Sequence, residues 1–247
     1  MNPVLSDTMR PALRGRLVAR DALDDRIRRA MFDLLASHFD GVDPRTFDED
    51  LAAKHAAILL EDERGTLRGF STMRVCRSPA LGPRATVVYS GDTIVERAWW
   101  GSPALARTWI AAVRRLAFAP DDALYWLLLT SGFRTYRFLP VFFRRFHPRH
   151  DEATPQDARA RLDLLARELF GTRYDAASGV VRFERPQVLA PELLEVPDGR
   201  RADPHVRFFL ERNPGYVRGD ELVCLTRVAD DNLTPAGRRM TRGGERP

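Results

Sequence analysis

The sequence predicts an α/β domain built on a mixed, mostly antiparallel sheet flanked by helices, with a C-terminal extension. Three observations carry this. Apolar residues recur at helical spacing from Asp21 to His38 (Leu23, Ile27, Ala30, Met31, Leu34, Leu35). Two strand-length runs, Ala56 to Leu60 and Leu67 to Val75, flank the turn-forming Glu61-Asp62-Glu63-Arg64-Gly65-Thr66 and so read as a hairpin. Leu124 to Leu129 is a continuous apolar run of the kind that fills the centre of a sheet.

The elements follow in order. Leu13 to Ala19 is an opening strand, and Gly41 and Pro44 close the first helix. A short helix spans Asp48 to Lys54, the hairpin follows, and a further strand runs from Thr86 to Glu96. Pro103 suits a first helical turn, so a helix is expected from Ala104 to Phe118, stopped by Pro120. After the apolar strand, Gly132 opens an aromatic-rich helix, Thr135 to Phe146, and a further helix covers Asp157 to Leu169. A strand at Val180 to Phe183, a proline-rich passage, a helix at His205 to Arg212 and a strand at Glu221 to Arg227 complete the chain. Residues 1–229 are expected to form one domain. The polar segment 230–247 is expected to be a flexible tail.

Composition excludes several classes. No run reaches the roughly 18 apolar residues of a membrane span, and the first residues lack a basic-then-apolar leader pattern, so no membrane span is expected and the cytoplasm is the expected compartment. The net charge is +5, yet Lys54 is the only lysine among 39 basic residues. The arginines alternate with acids, as in Asp24-Asp25-Arg26-Ile27-Arg28-Arg29, rather than forming the basic stripe of a nucleic-acid binder. Cys76 and Cys224 are read as reduced, buried thiols. The five histidines show no ligand spacing, and no metal is expected.

The segment Asp92-Thr93-Ile94-Val95-Glu96-Arg97-Ala98-Trp99-Trp100-Gly101-Ser102-Pro103-Ala104-Leu105, together with the element order, resembles the GNAT acyltransferase superfamily over about residues 13–184. Ser90-Gly91-Asp92-Thr93, Tyr125-Trp126 and Ser131-Gly132-Phe133-Arg134-Thr135-Tyr136 are similar to an uncharacterised GNAT-like subgroup. The resemblance implies an N-acyltransferase that moves an acyl group from a thioester to a small-molecule amine. No permanently bound cofactor is implied; acyl-CoA or acyl-phosphopantetheine on acyl carrier protein would be the co-substrate. The alternative is a catalytically inactive GNAT-fold protein that binds a ligand or partner. In the family, the loop entering the central helix presents backbone N–H groups to the donor's pyrophosphate, which assigns donor binding to Trp100, Gly101, Ser102 and Leu105. The loop departs from the usual pattern: Trp100 stands where a basic residue is common, and Pro103 and Leu105 replace glycines.

Chemistry needs a base for the ammonium proton and an acid near the leaving thiol. Period two along an extended strand puts Ser90, Asp92 and Glu96 on one face. Asp92 is the preferred base, because an apolar strand would raise its pKa; a competing reading makes it the cap of a bulge at Gly91. Glu96 is a second catalytic candidate, weighed against pairing with an arginine. The resemblance assigns the acid to Tyr136, which could equally be a packed helix aromatic. Ser90, Trp126 and Ser131 are substrate-binding candidates. Arg134, Arg137, Arg144 and Arg145 form a candidate docking surface for carrier protein, with Arg137, Arg144 and Arg145 on neighbouring faces of one helix.

Overall fold

The protein is described by a computed structural model, covering residues 12–115 and 123–241. Strand β1 (Arg14–Ala19) leads to α1 (Asp25–Ala36). This helix starts where the Asp24 carboxylate accepts from the Ile27 N–H at 2.7 Å. A two-residue strand β2 (Phe39–Asp40) precedes α2 (Pro44–Ala52), which begins four residues earlier than expected because Asp43 caps it and Pro44 fits its first turn. The hairpin β3 (Ala56–Glu61) and β4 (Leu67–Arg77) is followed by β5 (Ala85–Val95), then α3 (Ala104–Arg115). The expected end of α3, residues 116–118, and Pro120 lie outside the described residues. Strand β6 (Ala123–Thr130) then enters the core.

The single aromatic helix expected from Thr135 to Phe146 is instead two short ones, α4 (Phe133–Tyr136) and α5 (Phe138–Phe142). Pro140 has no N–H to continue the ladder. Beyond Phe142 the chain is extended: Phe143 bridges Leu233, and His147 bridges Leu225. Arg137, Arg144 and Arg145 therefore do not share one helix.

Helix α6 (Gln156–Phe170) and the short strands β7 (Tyr174–Asp175), β8 (Val180–Val181) and β9 (Val188–Leu189) follow. Three helices, α7 (Pro191–Leu194), α8 (Asp198–Arg201) and α9 (Pro204–Arg212), precede β10 (Glu221–Arg227). The segment from Asp230, expected to be a flexible tail, holds α10 (Pro235–Thr241). It is anchored by buried Leu233, and the Gly237 backbone packs so closely on the Phe142 carbonyl that a Cβ there would lie 2.5 Å from it. Residues 242–247 lie outside the described residues.

The main sheet has the order β1-β3-β4-β5-β6-β10-β8-β7. Among the described residues, β5–β6 is its one parallel pair. Ala85–Ser90 pair with Ala123–Leu128 and the pairing then stops. Past that point β5 continues along β4 and β6 continues along β10, so the two strands splay at their C-terminal ends. The order of the main strands and helices is the one expected from the sequence. Beyond Ser90, the β5 backbone edge facing β6 has no strand partner among the described residues. One face of the sheet packs on α3, α4 and α9, and the other on α1 and α2 at one end and α6 at the other. No helix among the described residues is long and apolar enough to cross a membrane.

Candidate active site

The splay opens into a cavity of about 760 Å³. Its walls are the free ends of β5 and β6, the loop before α3, part of α2, and the extension carrying β9, α7 and α8. Pairing of β9 with β2 ties that extension over the opening.

The floor is shaped by an irregularity in β5. Ser71 pairs with Thr93 and Met73 with Ser90, so Gly91 and Asp92 together oppose Thr72. This β-bulge breaks the alternation that would have put Ser90 and Asp92 on one face. Ser90 is turned toward α3, where its hydroxyl accepts from the indole N–H groups of Trp109 (3.2 Å) and Trp126 (2.9 Å). Asp92 is turned to the opposite side, toward α2. Glycine is required at the bulge because a Cβ on residue 91 would lie 2.7 Å from both Lys54 Cε and Thr72 Oγ1. Gly91→Ala is therefore expected to cost about 1–3 kcal/mol, read as a lower urea midpoint.

Asp92 lies half-buried in a charged group drawn from four elements. Lys54, just past α2, is 2% exposed at its side chain, and its ammonium donates to both Asp50 oxygens at 2.5 and 2.6 Å. The same ammonium lies 5.3 Å from the centre of the Tyr89 ring. Glu221, the first residue of β10, completes the group. Burial, reinforced by the Asp50 carboxylate and opposed by Lys54, pushes Asp92 up to about 7. Burial and then the charge of Asp92 push Glu221 up to about 8. A carboxylate with that proton affinity takes up a proton at neutral pH, where an ordinary one would not.

The other assigned residues fall in distinct places. Trp100, Gly101, Ser102, Leu105 and Ser131 line the cavity. The Trp100 indole donates to the Val95 carbonyl at 2.8 Å and carries the Arg134 guanidinium 4.6 Å above its ring. Gly101 has φ +91° and open space at its Cβ position, and the Ser102 hydroxyl accepts from the Ala104 N–H at 3.3 Å. The α3 N-terminus therefore faces the cavity with little side-chain bulk. Ser90 and Trp126 line a small void beneath the splay instead.

Glu96 is ion-paired with Arg68 at 3.1 Å, and Arg68 also holds Asp62. Tyr136 is fully buried among Phe146, Phe208 and Phe209, and its hydroxyl donates to the Pro148 carbonyl at 3.0 Å. Neither lines the cavity. Of the four candidate docking arginines, Arg134 and Arg137 line it; Arg134 also donates to the carbonyls of Leu193 and Glu195, and Arg137 pairs with Asp203. Arg144 and Arg145 are bound to the Asp231–Leu233 segment.

The residues that sequence reading missed are Asp50, Lys54, Tyr89 and Glu221. One signal was present: a lone lysine in an arginine-rich chain. Both cysteines are free thiols, and Cys224 is fully buried.

No family profile and no curated protein matches the chain. Among solved structures it is similar to a probable N-acyltransferase from Enterococcus faecalis, at 14% identity, 55% of this chain, 33% of that one and a TM-score of 0.41. It is also similar to a GNAT family N-acetyltransferase from Escherichia coli in complex with CoA (16% identity, 52% and 69% of the two chains, TM-score 0.37). A third is an acetyltransferase from Trypanosoma brucei (16% identity, 57% and 98%, TM-score 0.38). The chain spans about a third of the Enterococcus faecalis protein. These are likenesses of fold.

Proposed function

We propose that the protein is an N-acyltransferase that moves an acyl group from acyl-CoA to a small-molecule amine. The observation that carries this is the half-buried Asp92, poised to titrate near neutrality, at the point where β5 leaves β6 and opens the cavity. In this reading Asp92 takes the ammonium proton of the acceptor. The β5 backbone edge left without a strand partner supplies N–H groups to the oxyanion as the thioester carbonyl is attacked. The thiol then leaves, and Glu221 is the second protonatable group within reach of the same charge cluster.

The donor's pyrophosphate would rest on the α3 N-terminus, where dipole and free N–H groups favour an anion. Arg134 and Arg97 stand beside it. Both guanidiniums lie near the Trp100 ring, and burial together with the charge of Arg97 holds the Arg134 pKa below its usual value. Two cations side by side are stabilised by an anion between them, so the missing basic residue at position 100 is replaced from β5's end and from α4. The carrier-protein alternative has less support: Arg145 pairs with Asp231 and Arg144 with the chain's own carbonyl, which leaves fewer free charges for an acidic partner.

The direct test is release of free CoA from acetyl-CoA in the presence of an amine panel. Absence of thiol release with every acyl-CoA and amine, from folded protein that binds CoA, would favour the binding-only alternative. Tyr136→Phe is expected to leave turnover within about twofold while lowering stability by about 1 kcal/mol, the value of one buried hydrogen bond. A hundredfold drop in turnover would instead return the acid role to Tyr136.

A further inference from the structure

The cavity is electrically two-sided, and this bears on the acceptor. On its floor stand Asp50, Asp92 and Glu221, with one cation, Lys54, among them. A further acceptor lies against this group: Thr72 Oγ1 is buried, has no hydrogen-bond partner, and lies 2.7 Å from the position a Gly91 Cβ would occupy. On the wall, Arg173 and Arg185 reach in from the segments after α6 and before β9. Neither lies within ion-pair distance of a carboxylate among the described residues, although the charge of Arg185 helps hold the Asp43 pKa down. Arg173 is held by the Phe170 carbonyl at 3.2 Å and stacks 5.3 Å from the Phe183 ring. Tyr89 joins the two sides: it lies under the Lys54 ammonium, feels the charges of Glu221, Asp50 and Asp92, and also feels that of Arg173.

An ammonium on the floor and an anion on the wall would each meet opposite charge, with Tyr89 within the field of both groups. We propose, resting on the acyltransferase reading, that the acceptor is a zwitterionic amine: its ammonium sits at Asp92 and Glu221, and its carboxylate or phosphate sits on Arg173 and Arg185. A plain amine would leave Arg173 without a counter-charge and Arg185 with only the distant charge of Asp43, and a diamine would place its second cation against them. Arginine is suited to this role because its planar fork binds either oxyanion through two parallel hydrogen bonds. Arg185 precedes β9 in the extension and Arg173 follows α6, so both stand on segments other than the loop before α3 that would hold the donor.

The experiment is calorimetric titration of the full chain, saturated with CoA, with four probes: β-alanine, phosphoethanolamine, ethanolamine and cadaverine. β-Alanine or phosphoethanolamine is expected to bind at least about tenfold more tightly than ethanolamine, a difference of about 1.4 kcal/mol, and cadaverine the most weakly. The stronger of the two zwitterions identifies the anion as carboxylate or phosphate. Arg185→Gln and Arg173→Gln, made singly because both side chains are exposed and their loss spares the core, are each expected to reduce the zwitterion preference to about threefold or less. Equal binding of ethanolamine and the zwitterions, or a preference unchanged in both variants, would overturn the proposal. Because the readout is binding, it is separable from the acyltransferase reading: arginine-dependent zwitterion binding without thiol release would sink that reading and leave the zwitterion site as a binding site.

Discussion

If the proposed reaction holds, Asp92→Asn is expected to lower the turnover of acetyl-CoA with an amine acceptor by about 10²-fold, the usual contribution of a general base, while the protein remains folded. The pH profile distinguishes this from indirect damage. In the parent protein kcat/KM is expected to rise as pH increases through about 7, because a base at Asp92 must lose its proton to act. In the variant that limb is absent. Stability moves the opposite way. The Asp92 pKa is raised from 3.8 to about 7 in the folded state, so the native protein holds a proton that the unfolded chain has released between those values. Native stability therefore falls as pH rises from about 4 to about 7. Asparagine, neutral throughout, removes that loss, and the variant should melt higher than the parent at pH 8 and little differently at pH 4. Turnover unchanged in the variant would make Asp92 a bulge residue and nothing more.

Lys54→Met is the second large effect. Lys54 is the cation within the group of Asp50, Asp92 and Glu221, and its side chain is 2% exposed. Removing a buried partner strands the opposite charges, at about 3–5 kcal/mol for a fully enclosed pair. Asp50 is 46% exposed and water recovers part of that, so about 2 kcal/mol is expected at pH 8. Lys54 holds Asp92 and Glu221 down against burial. Without it both pKa values rise further, and the rising limb of kcat/KM moves to higher pH. At pH 5 the two carboxyls are already protonated, so the stability difference shrinks. Chemical denaturation at the two pH values checks this. Equal losses at both would mean that Lys54 contributes packing and its stacking over Tyr89, with no electrostatic role in the site.

Much of the fold was legible because local pattern and tertiary structure agreed. The apolar run Leu124 to Leu129 is the centre of β6, the positions of α1 and α6 followed from amphipathic spacing, and that of α3 from Pro103 at its start. The aromatic stretch misled, because Pro140 outweighs the helix-like spacing of Phe138, Phe142 and Phe146. The segment after Asp230 read as solvated because its polar residues conceal one anchor, Leu233, whose burial depends on a bridge to Phe143 far away in the chain.

The sequence by itself determined the order of the main strands and helices, the glycine-bearing loop before α3, and Asp92 as the residue to watch. These follow from periods of two and 3.6 and from turn residues, which are properties of neighbours in the chain. Tertiary structure alone decided which charges Asp92 meets. The bulge at Gly91 turned it away from Ser90, and closing the sheet brought Asp50 and Lys54 from the α2 region and Glu221 from β10 to it. The proton affinity of a carboxyl depends on its burial and on charges within a few ångströms, and those distances exist only after the chain has closed.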